Sequence, residues 1–569
     1  MLRLLVALLL ALGLAAPPAR AQLSATPEPV RAQRGMVVAA ERHAAEAGLE
    51  VLRAGGNAVD AAVATGFALA VTYPVAGNLG GGGFMVVRWP DGRATTLDYR
   101  ETAPAAATRD MFLDSTGTFV PERSQLGPLA SGVPGSPAGL LHAHEAWGRL
   151  PLAAVLAPAL RLADGGFPLS RAHARRLNAY AETFAAFPGT AAAFVDSTGW
   201  EEGDVLVQSD LARTLLRIRQ RGRDGFYRGP TARLIAAEME RLGGLITLED
   251  LDGYRAVERA PVEGTYRGHR VLSMPPPSSG GVALVQILNA LEPHDLGAMG
   301  LGGSATLHLM AEAMRRAYAD RAEWLGDPDA TPVPVAELTD KDYTRRRMAD
   351  FNPYRADTSA TLGFGDPFAG ESMETTHYSV VDADGMAVST TTTLNGGYGS
   401  KVVVTGAGFF LNNEMDDFAA APGVPNMFGL VGSEANAVGP GKRMLSSMTP
   451  TIVEDPDGRL LLVAGSPGGG RIITTTLQGI VNVIDHGLDV QAAVAAPRVH
   501  HQWLPDVLFA ERHALAPDVA AALRQRGWTL REGGRWSRAD FVHVVYDADG
   551  APTYLGGADP RGEDAAVGF

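Results

Sequence analysis

The stretch from Tyr378 to Thr393 constrains the fold most. Tyr378-Ser379-Val380-Val381 and Ala387-Val388-Ser389-Thr390-Thr391-Thr392-Thr393 are dense in β-branched residues, and Asp382-Ala383-Asp384-Gly385 separates them. β-Branched side chains suit a pleated surface, and Asp-Gly is a strong hairpin signal, so two antiparallel strands are expected here. Further strands are expected at 451–453, 460–464 and 541–546. Residues 37–74 are rich in Ala, Leu and Val and read as two buried helices, with Gly55-Gly56-Asn57 as the stop between them. A glycine-rich bend at 77–83 leads into a strand at 84–87 and a turn at Pro90-Asp91-Gly92. Leu307, Met310, Ala311, Met314 and Tyr318 recur at the spacing of an amphipathic helix. Strand and helix signals occur in both halves of the 569 residues, which predicts sheets covered by helices in a layered α/β body. No internal repeat of 20–50 residues is visible.

Charge and composition exclude several classes of function. The formal net charge is −14, and no dense Lys/Arg run provides the basic face that nucleic acid requires. The absence of cysteine removes disulfides, thiolate nucleophiles and iron–sulfur ligation together. At the N-terminus Arg3 precedes an apolar run over residues 4–16, and Ala19-Arg20-Ala21 has the small residues of a cleavage site. Residues 1–21 read as a secretory signal peptide, which predicts a protein that is exported, either periplasmic or secreted. An uncleaved anchor is the competing reading.

Several motifs carry no chemistry. Three Asp-x-Asp-Gly units, at 382–385, 455–458 and 547–550, lack the Glu that would complete a calcium loop and read as hairpin turns. The glycine-rich stretches 77–83 and 465–470 lack the Gly-Lys-Ser/Thr of a phosphate loop. The adjacent His500 and His501 have no acidic residue at ligand spacing, so their expected role is structural. No metal and no cofactor is expected. The serine-hydrolase elbow Gly-x-Ser-x-Gly is absent.

What remains is Thr375, at the junction between a Gly/Ser/Thr/Asp-rich linker (357–373) and the hairpin. A threonine hydroxyl is a weak nucleophile without a neighbouring base. Cutting the preceding peptide bond would free the α-amino group of Thr375, and with a pKa near about 7.7–8.0 that amine could serve as the base. Thr-Thr at a strand start is more often plain β-propensity, so the surroundings decide. Glu374-Thr375-Thr376-His377-Tyr378-Ser379, Leu411-Asn412-Asn413-Glu414-Met415-Asp416-Asp417-Phe418, Lys442-Arg443-Met444-Leu445-Ser446-Ser447-Met448 and Gly465-Ser466-Pro467-Gly468-Gly469 resemble the γ-glutamyltransferase (glutathione hydrolase) family in order and spacing. Upstream, Arg100-Glu101-Thr102-Ala103-Pro104 and the stretches 243–247 and 275–281 match as well, as does 500–505 near the C-terminus.

The resemblance implies an N-terminal-nucleophile hydrolase with a four-layer αββα core. It implies a proenzyme cut between Glu374 and Thr375 into a large fragment, 22–374, and a small one, 375–569, that stay together as a heterodimer. It implies that Thr375 forms a γ-glutamyl ester, that Thr393 supports the Thr375 amine, and that N–H groups at Gly468 and Gly469 stabilise the oxyanion. Arg100, with Ser446 and Ser447, would hold the substrate α-carboxylate. Glu414 and Asp417, helped by Asn395, would hold the α-ammonium. The implied donors are glutathione or other γ-glutamyl compounds, and the implied acceptors are water, amino acids or peptides. Glu414 stands where some members have Gln. Residues 422–433 resemble a lid loop, with Phe428 where some members have Tyr. Two other readings compete: a glutaryl or cephalosporin acylase, which needs no ammonium site, and a non-catalytic periplasmic binding protein, which needs no activated nucleophile.

Overall fold

The computed structural model describes residues 26–362, 375–421 and 423–569. The signal-peptide reading, Glu374, Pro422 and most of the 357–373 linker lie outside the described residues.

Two seven-stranded sheets form the centre. The first runs in the order Ala565–Gly568, Gly35–Ala39, Thr375–Asp382, Ala387–Thr393, Gly82–Arg88, Ala94–Tyr99, Val257–Arg259. The second runs Val30–Ala32, Pro552–Gly557, Phe541–Tyr546, Leu460–Ala464, Thr451–Glu454, His269–Ser273, Val262–Tyr266. Every neighbouring pair in both is antiparallel. Strand alternation sorts the side chains between layers. Met36, Val38, Val86, Val381 and Ala387 of the first sheet meet Leu272, Ile452, Val463, Val542 and Val544 of the second. Val37, Ala39, Met85, Val87, Val380 and Val388 point the other way, into a core shared with the helices Arg42–Arg53 and Ala58–Thr72. On the far side, helices Gly280–Leu291, Ser304–Trp324 and Arg471–Ile484 cover Val271, Val453, Leu462 and Phe541. The result is the αββα order that the resemblance implies.

The hairpin forms as the sequence predicts: Thr375 pairs with Thr393, and the register runs unbroken to Val381 and Ala387. The strands at 451–454, 460–464 and 541–546 also form, as does the strand after the glycine-rich bend. The Asp-x-Asp-Gly units are turns, with Asp382, Asp455 and Asp547 each accepting backbone N–H groups within the turn.

Three readings need correction. Residues 35–39 are a strand, and the first helix begins only at Arg42, where the Glu41 carboxylate accepts from the N–H groups of His43 and Ala44. A short apolar run buried on both faces looks the same in sequence whether helix or strand. The helix Ser304–Trp324 has no broad solvent face: it is buried almost all round, charged Glu312, Arg315, Arg316 and Arg321 included. The linker is not exposed throughout. Ser359 is buried, donating to the Trp503 carbonyl (2.5 Å), while Arg315 donates to its hydroxyl (2.8 Å) and its own N–H reaches Asp506 (2.8 Å).

Candidate active site

Register delivers the first part of the site. The strand Gly35–Ala39 pairs only as far as Tyr378, so Thr375, Thr376 and His377 run past its end while remaining paired to Thr391–Thr393 on the other side. Thr375 therefore lies deep in the sheet, 4% exposed, with one edge unpaired by that strand. Its Oγ1 is 3.4 Å from Thr393 Oγ1, which accepts the Asn395 N–H at 2.7 Å. Asn395 holds the left-handed backbone (φ 75°) that turns the chain out of the strand, a conformation Asn tolerates better than most residues. Its amide nitrogen donates to the Asn413 carbonyl at 3.0 Å, leaving the amide oxygen as the acceptor.

His377 invites assignment as a base, being two residues from Thr375. It is fully buried, hydrogen-bonded to Thr391 (2.9 Å) and Ser379 (3.1 Å), and burial holds its pKa down at about 3. It stays neutral near pH 7, and its hydrogen bonds tie together two neighbouring strands of the first sheet.

Gly468 and Gly469 must be glycine. Both have positive φ, 130° and 55°. A Cβ on Gly468 would fall 2.0 Å from the Ser537 hydroxyl, and one on Gly469 2.6 Å from the Phe428 ring. Among the described residues neither N–H has a backbone acceptor. Two successive N–H groups in such a turn can hold an oxyanion.

Arg100 directly follows the strand Ala94–Tyr99 and is 0% exposed. It bonds Glu414 and, at 2.6 Å, Asp417, and its Nε donates to the Met444 carbonyl at 3.2 Å. One guanidinium thus faces two carboxylates, a charge-assisted cluster that a zwitterion can enter by exchange: its carboxylate to Arg100, its ammonium to Glu414 and Asp417. Phe428, inside the lid-like loop, is buried over the site. Asn426 of the same loop donates to Asp417 at 2.8 Å. A small cavity of about 20 Å³ is lined by Arg100, Thr375, Thr393, Asn395, Glu414, Asp417, Ser446, Ser447 and Gly469. All the sequence-predicted site residues meet there except Gly468 and Glu374. Gly468 lines an adjoining cleft that also reaches Thr375.

Some contributors left no signal in the sequence analysis. Asn78 donates to the Thr393 carbonyl (2.8 Å) and accepts from Gly81 N–H and Ser136, clamping the strand end to the glycine-rich bend. Arg321 donates to Ser447 (3.2 Å) and Ser279 (2.9 Å) from the buried helix behind the cavity. Asn412 fixes the Glu414 N–H (3.0 Å) and Gly132. Only the asparagine within the 77–83 bend could have been singled out, as a residue suited to a tight turn.

Glu101 is fully buried beside Arg100, 3.8 Å away, and neither of its oxygens has a hydrogen-bond partner among the described residues. Burial pushes its carboxyl up to about 8, against the pull of Arg100. A raised carboxyl pKa contributes stability that is full below the unfolded value and is lost as pH rises through the folded one. Glu101→Gln is therefore expected to gain in Tm relative to the parent as pH rises from about 5 to about 8, a differential of roughly 2–4 kcal/mol. Scanning calorimetry of both proteins at the two pH values checks this. A constant Tm difference would mean Glu101 is ionised throughout.

Comparison with known proteins decides the family. Residues 44–569 match the Gamma-glutamyltranspeptidase family. The chain belongs to that family. It is 49% identical over 544 residues to a glutathione hydrolase proenzyme of Escherichia coli strain K12, covering 95% of this chain and 93% of that one. An acylase ACY 1 proenzyme of Pseudomonas sp. strain V22 is 40% identical over 94% of both chains. Among solved structures, cephalosporin acylase from Bacillus halodurans superposes with a TM-score of 0.84 at 27% identity, covering 98% of each chain. Helicobacter pylori gamma-glutamyltranspeptidase gives 0.56 at 42% identity, covering 60% of this chain and 96% of the other. Family membership makes this chain a γ-glutamyltransferase of the glutathione hydrolase type, with the N-terminal-nucleophile hydrolase fold.

Proposed function

We propose that this exported proenzyme cuts itself between Glu374 and Thr375 and that Thr375 then carries the γ-glutamyl group. Residues 1–21 are the signal peptide, and the mature protein works in the periplasm or outside the cell. The fragments 22–374 and 375–569 remain a heterodimer, because strands 375–382 and 387–393 of the small fragment pair with Gly35–Ala39 and Gly82–Arg88 of the large one.

The α-amine of Thr375 takes the proton from its own Oγ1, and Oγ1 attacks the γ-carbonyl carbon of the donor. The N–H groups of Gly468 and Gly469 hold the oxyanion. Collapse expels the amine half, which takes up the proton, and leaves the γ-glutamyl ester. Water, an amino acid or a peptide amine then attacks the ester. Thr393 and Asn395 orient the nucleophile. Arg100, Ser446 and Ser447 hold the α-carboxylate, and Glu414, Asp417 and Asn395 hold the α-ammonium. The donors are glutathione or other γ-glutamyl compounds. A cavity of about 20 Å³ has room for about one water, so the Phe428–Leu430 cover shifts to admit the donor.

One observation carries this reading over the acylase alternative: two buried carboxylates share Arg100 where a substrate ammonium would sit. A glutaryl group has no ammonium and would leave them unanswered, at a cost of about 2–4 kcal/mol. The mature protein is expected to turn over a γ-glutamyl anilide at least about 10²-fold faster, in kcat/KM, than the glutaryl anilide. The reverse order would favour the acylase, and turnover of neither would favour a binding protein.

A further inference from the structure

Helix Ser304–Trp324 buries three arginines, and two of them have acids beside them. Arg315 pairs with Glu312 and Asp506, and Arg316 with Glu312, Asp350 and Asp357. Arg321, 5% exposed, makes no ion pair among the described residues. Its bonds go to two hydroxyls: Nε donates to Ser279 at 2.9 Å and Nη2 to Ser447 at 3.2 Å. A guanidinium keeps its charge in a protein, and burying a charge without a counter-ion is costly. Burial holds the Arg321 pKa below the usual arginine value, with Asp417 drawing it up and Arg100 pressing it down. Asp417 and Arg100 both line the donor cavity, so Arg321 lies within electrostatic reach of it.

The two hydroxyls lead into that cavity. Ser447 lines it, and because its Oγ accepts from Arg321 its own proton points elsewhere. No acceptor takes that proton among the described residues. Ser279 Oγ accepts from Arg321 and donates to the Ser446 carbonyl at 2.6 Å, while the Ser279 N–H reaches the same carbonyl at 2.8 Å. One guanidinium therefore holds Ser446 and Ser447 from behind. The two serines differ in kind. Ser446 Oγ accepts a neutral N–H, from Met448 at 3.1 Å, whereas Ser447 Oγ accepts from a cation. A hydroxyl polarised by a cation is the stronger donor to an anion. Inside the cavity Arg100 is already shared by Glu414 and Asp417, so an arriving carboxylate finds one cation claimed by two acids. Arg321, one hydroxyl away, is the second cation.

We infer that Arg321 is a positioning residue for donor recognition: through Ser447, and through Ser279 to Ser446, its guanidinium brings a second positive charge to the α-carboxylate of the γ-glutamyl donor. The inference rests on the γ-glutamyl reading above. The incoming carboxylate answers the Ser447 proton and offsets the buried charge behind it, which a neutral group at the same place does not. Arg321 touches no reacting atom. Its contribution is the same in the bound donor and in the transition state, so it acts on KM more than on kcat.

The test compares kcat/KM for a γ-glutamyl anilide with that for the same anilide carrying an α-carboxamide in place of the α-carboxylate. The parent is expected to favour the free acid by about 10²-fold or more. Arg321→Gln lowers that acid-to-amide ratio by about tenfold or more, with the loss in KM for the acid and kcat changed by less than about threefold. Arg321→Lys, which keeps the charge but not the fork, falls in between. Ser447→Ala lowers the ratio too, and adding Arg321→Gln to it costs less than the product of the two single losses, because one acts through the other. A merely structural role would lower acid and amide turnover together and leave the ratio where it was. An unchanged ratio in active Arg321→Gln, or losses that multiply in the double variant, would overturn the inference. Should Arg321→Gln fail to fold, Arg321→Lys decides: a ratio lowered several-fold supports the inference, and the parent's ratio overturns it. A parent that favours the acid while active Arg321→Gln keeps that preference sinks the Arg321 role alone. A parent that turns over neither anilide, or both equally, sinks the donor assignment with it.

Discussion

Thr375→Ala yields a single uncut chain whose turnover of a γ-glutamyl anilide falls by at least about 10⁴-fold. Losing the nucleophile of an acyl-transfer site removes the covalent route altogether, and removing one member of a catalytic unit costs nearly as much as removing all of it. Here the loss is double, since the same hydroxyl is proposed to cut the chain and to accept the acyl group. The fold should survive: Thr375 pairs at the end of a strand whose residues Tyr378–Val381 are held on both sides. Circular dichroism and gel mobility check that the variant is folded and whole, and the anilide assay reads the loss. A cut and active Thr375→Ala chain would remove Thr375 from both roles.

Arg100→Ala is expected to lower kcat/KM for γ-glutamyl donors by about 10³-fold and to destabilise the protein by about 3–5 kcal/mol. Both effects come from the same geometry. Arg100 is wholly buried and bonds Glu414 and Asp417, so its removal leaves two carboxylates facing each other without a cation. The Glu414 carboxyl is already pushed upward by burial, and without Arg100 it would take a proton and lose its attraction for an ammonium. Arg100→Lys keeps the charge but not the fork and is expected to recover stability more than kcat/KM. Steady-state kinetics with urea unfolding separates the two losses. Less than a tenfold loss of kcat/KM in a folded Arg100→Ala protein would place the donor elsewhere.

The hairpin was legible because Thr390–Thr393 and Val380–Val381 leave few alternatives to a pleated pair, and the Asp-Gly turn sets its length. The layered class followed from strands and helices in both halves. The strand Gly35–Ala39 was not legible, since Met36–Ala39 is apolar on both faces, one packed on the second sheet and the other on helices. The apolar spacing from Leu307 to Tyr318 suggested an amphipathic helix with a solvent face. In the fold Arg316 bonds Glu312 one turn away and also Asp350 and Asp357, partners beyond the helix that its period does not reveal. The site was legible by resemblance far more than by local pattern. Arg100 and Glu414 are 314 positions apart, and nothing near either residue announces the other. Asn78 and Arg321 escaped because their work, fixing Thr393 and Ser447, exists only once the chain is folded.

Thr375 is proposed to become an N-terminus and then to carry the acyl group. Mature protein quenched in acid during turnover of a γ-glutamyl donor, and measured by intact mass under denaturing conditions, tests it most directly. Two chains are expected, the smaller being residues 375–569, with a fraction of that smaller chain heavier by one γ-glutamyl group on Thr375. A single uncut chain that nevertheless turns the donor over, or an acyl group found on any other residue, would contradict it.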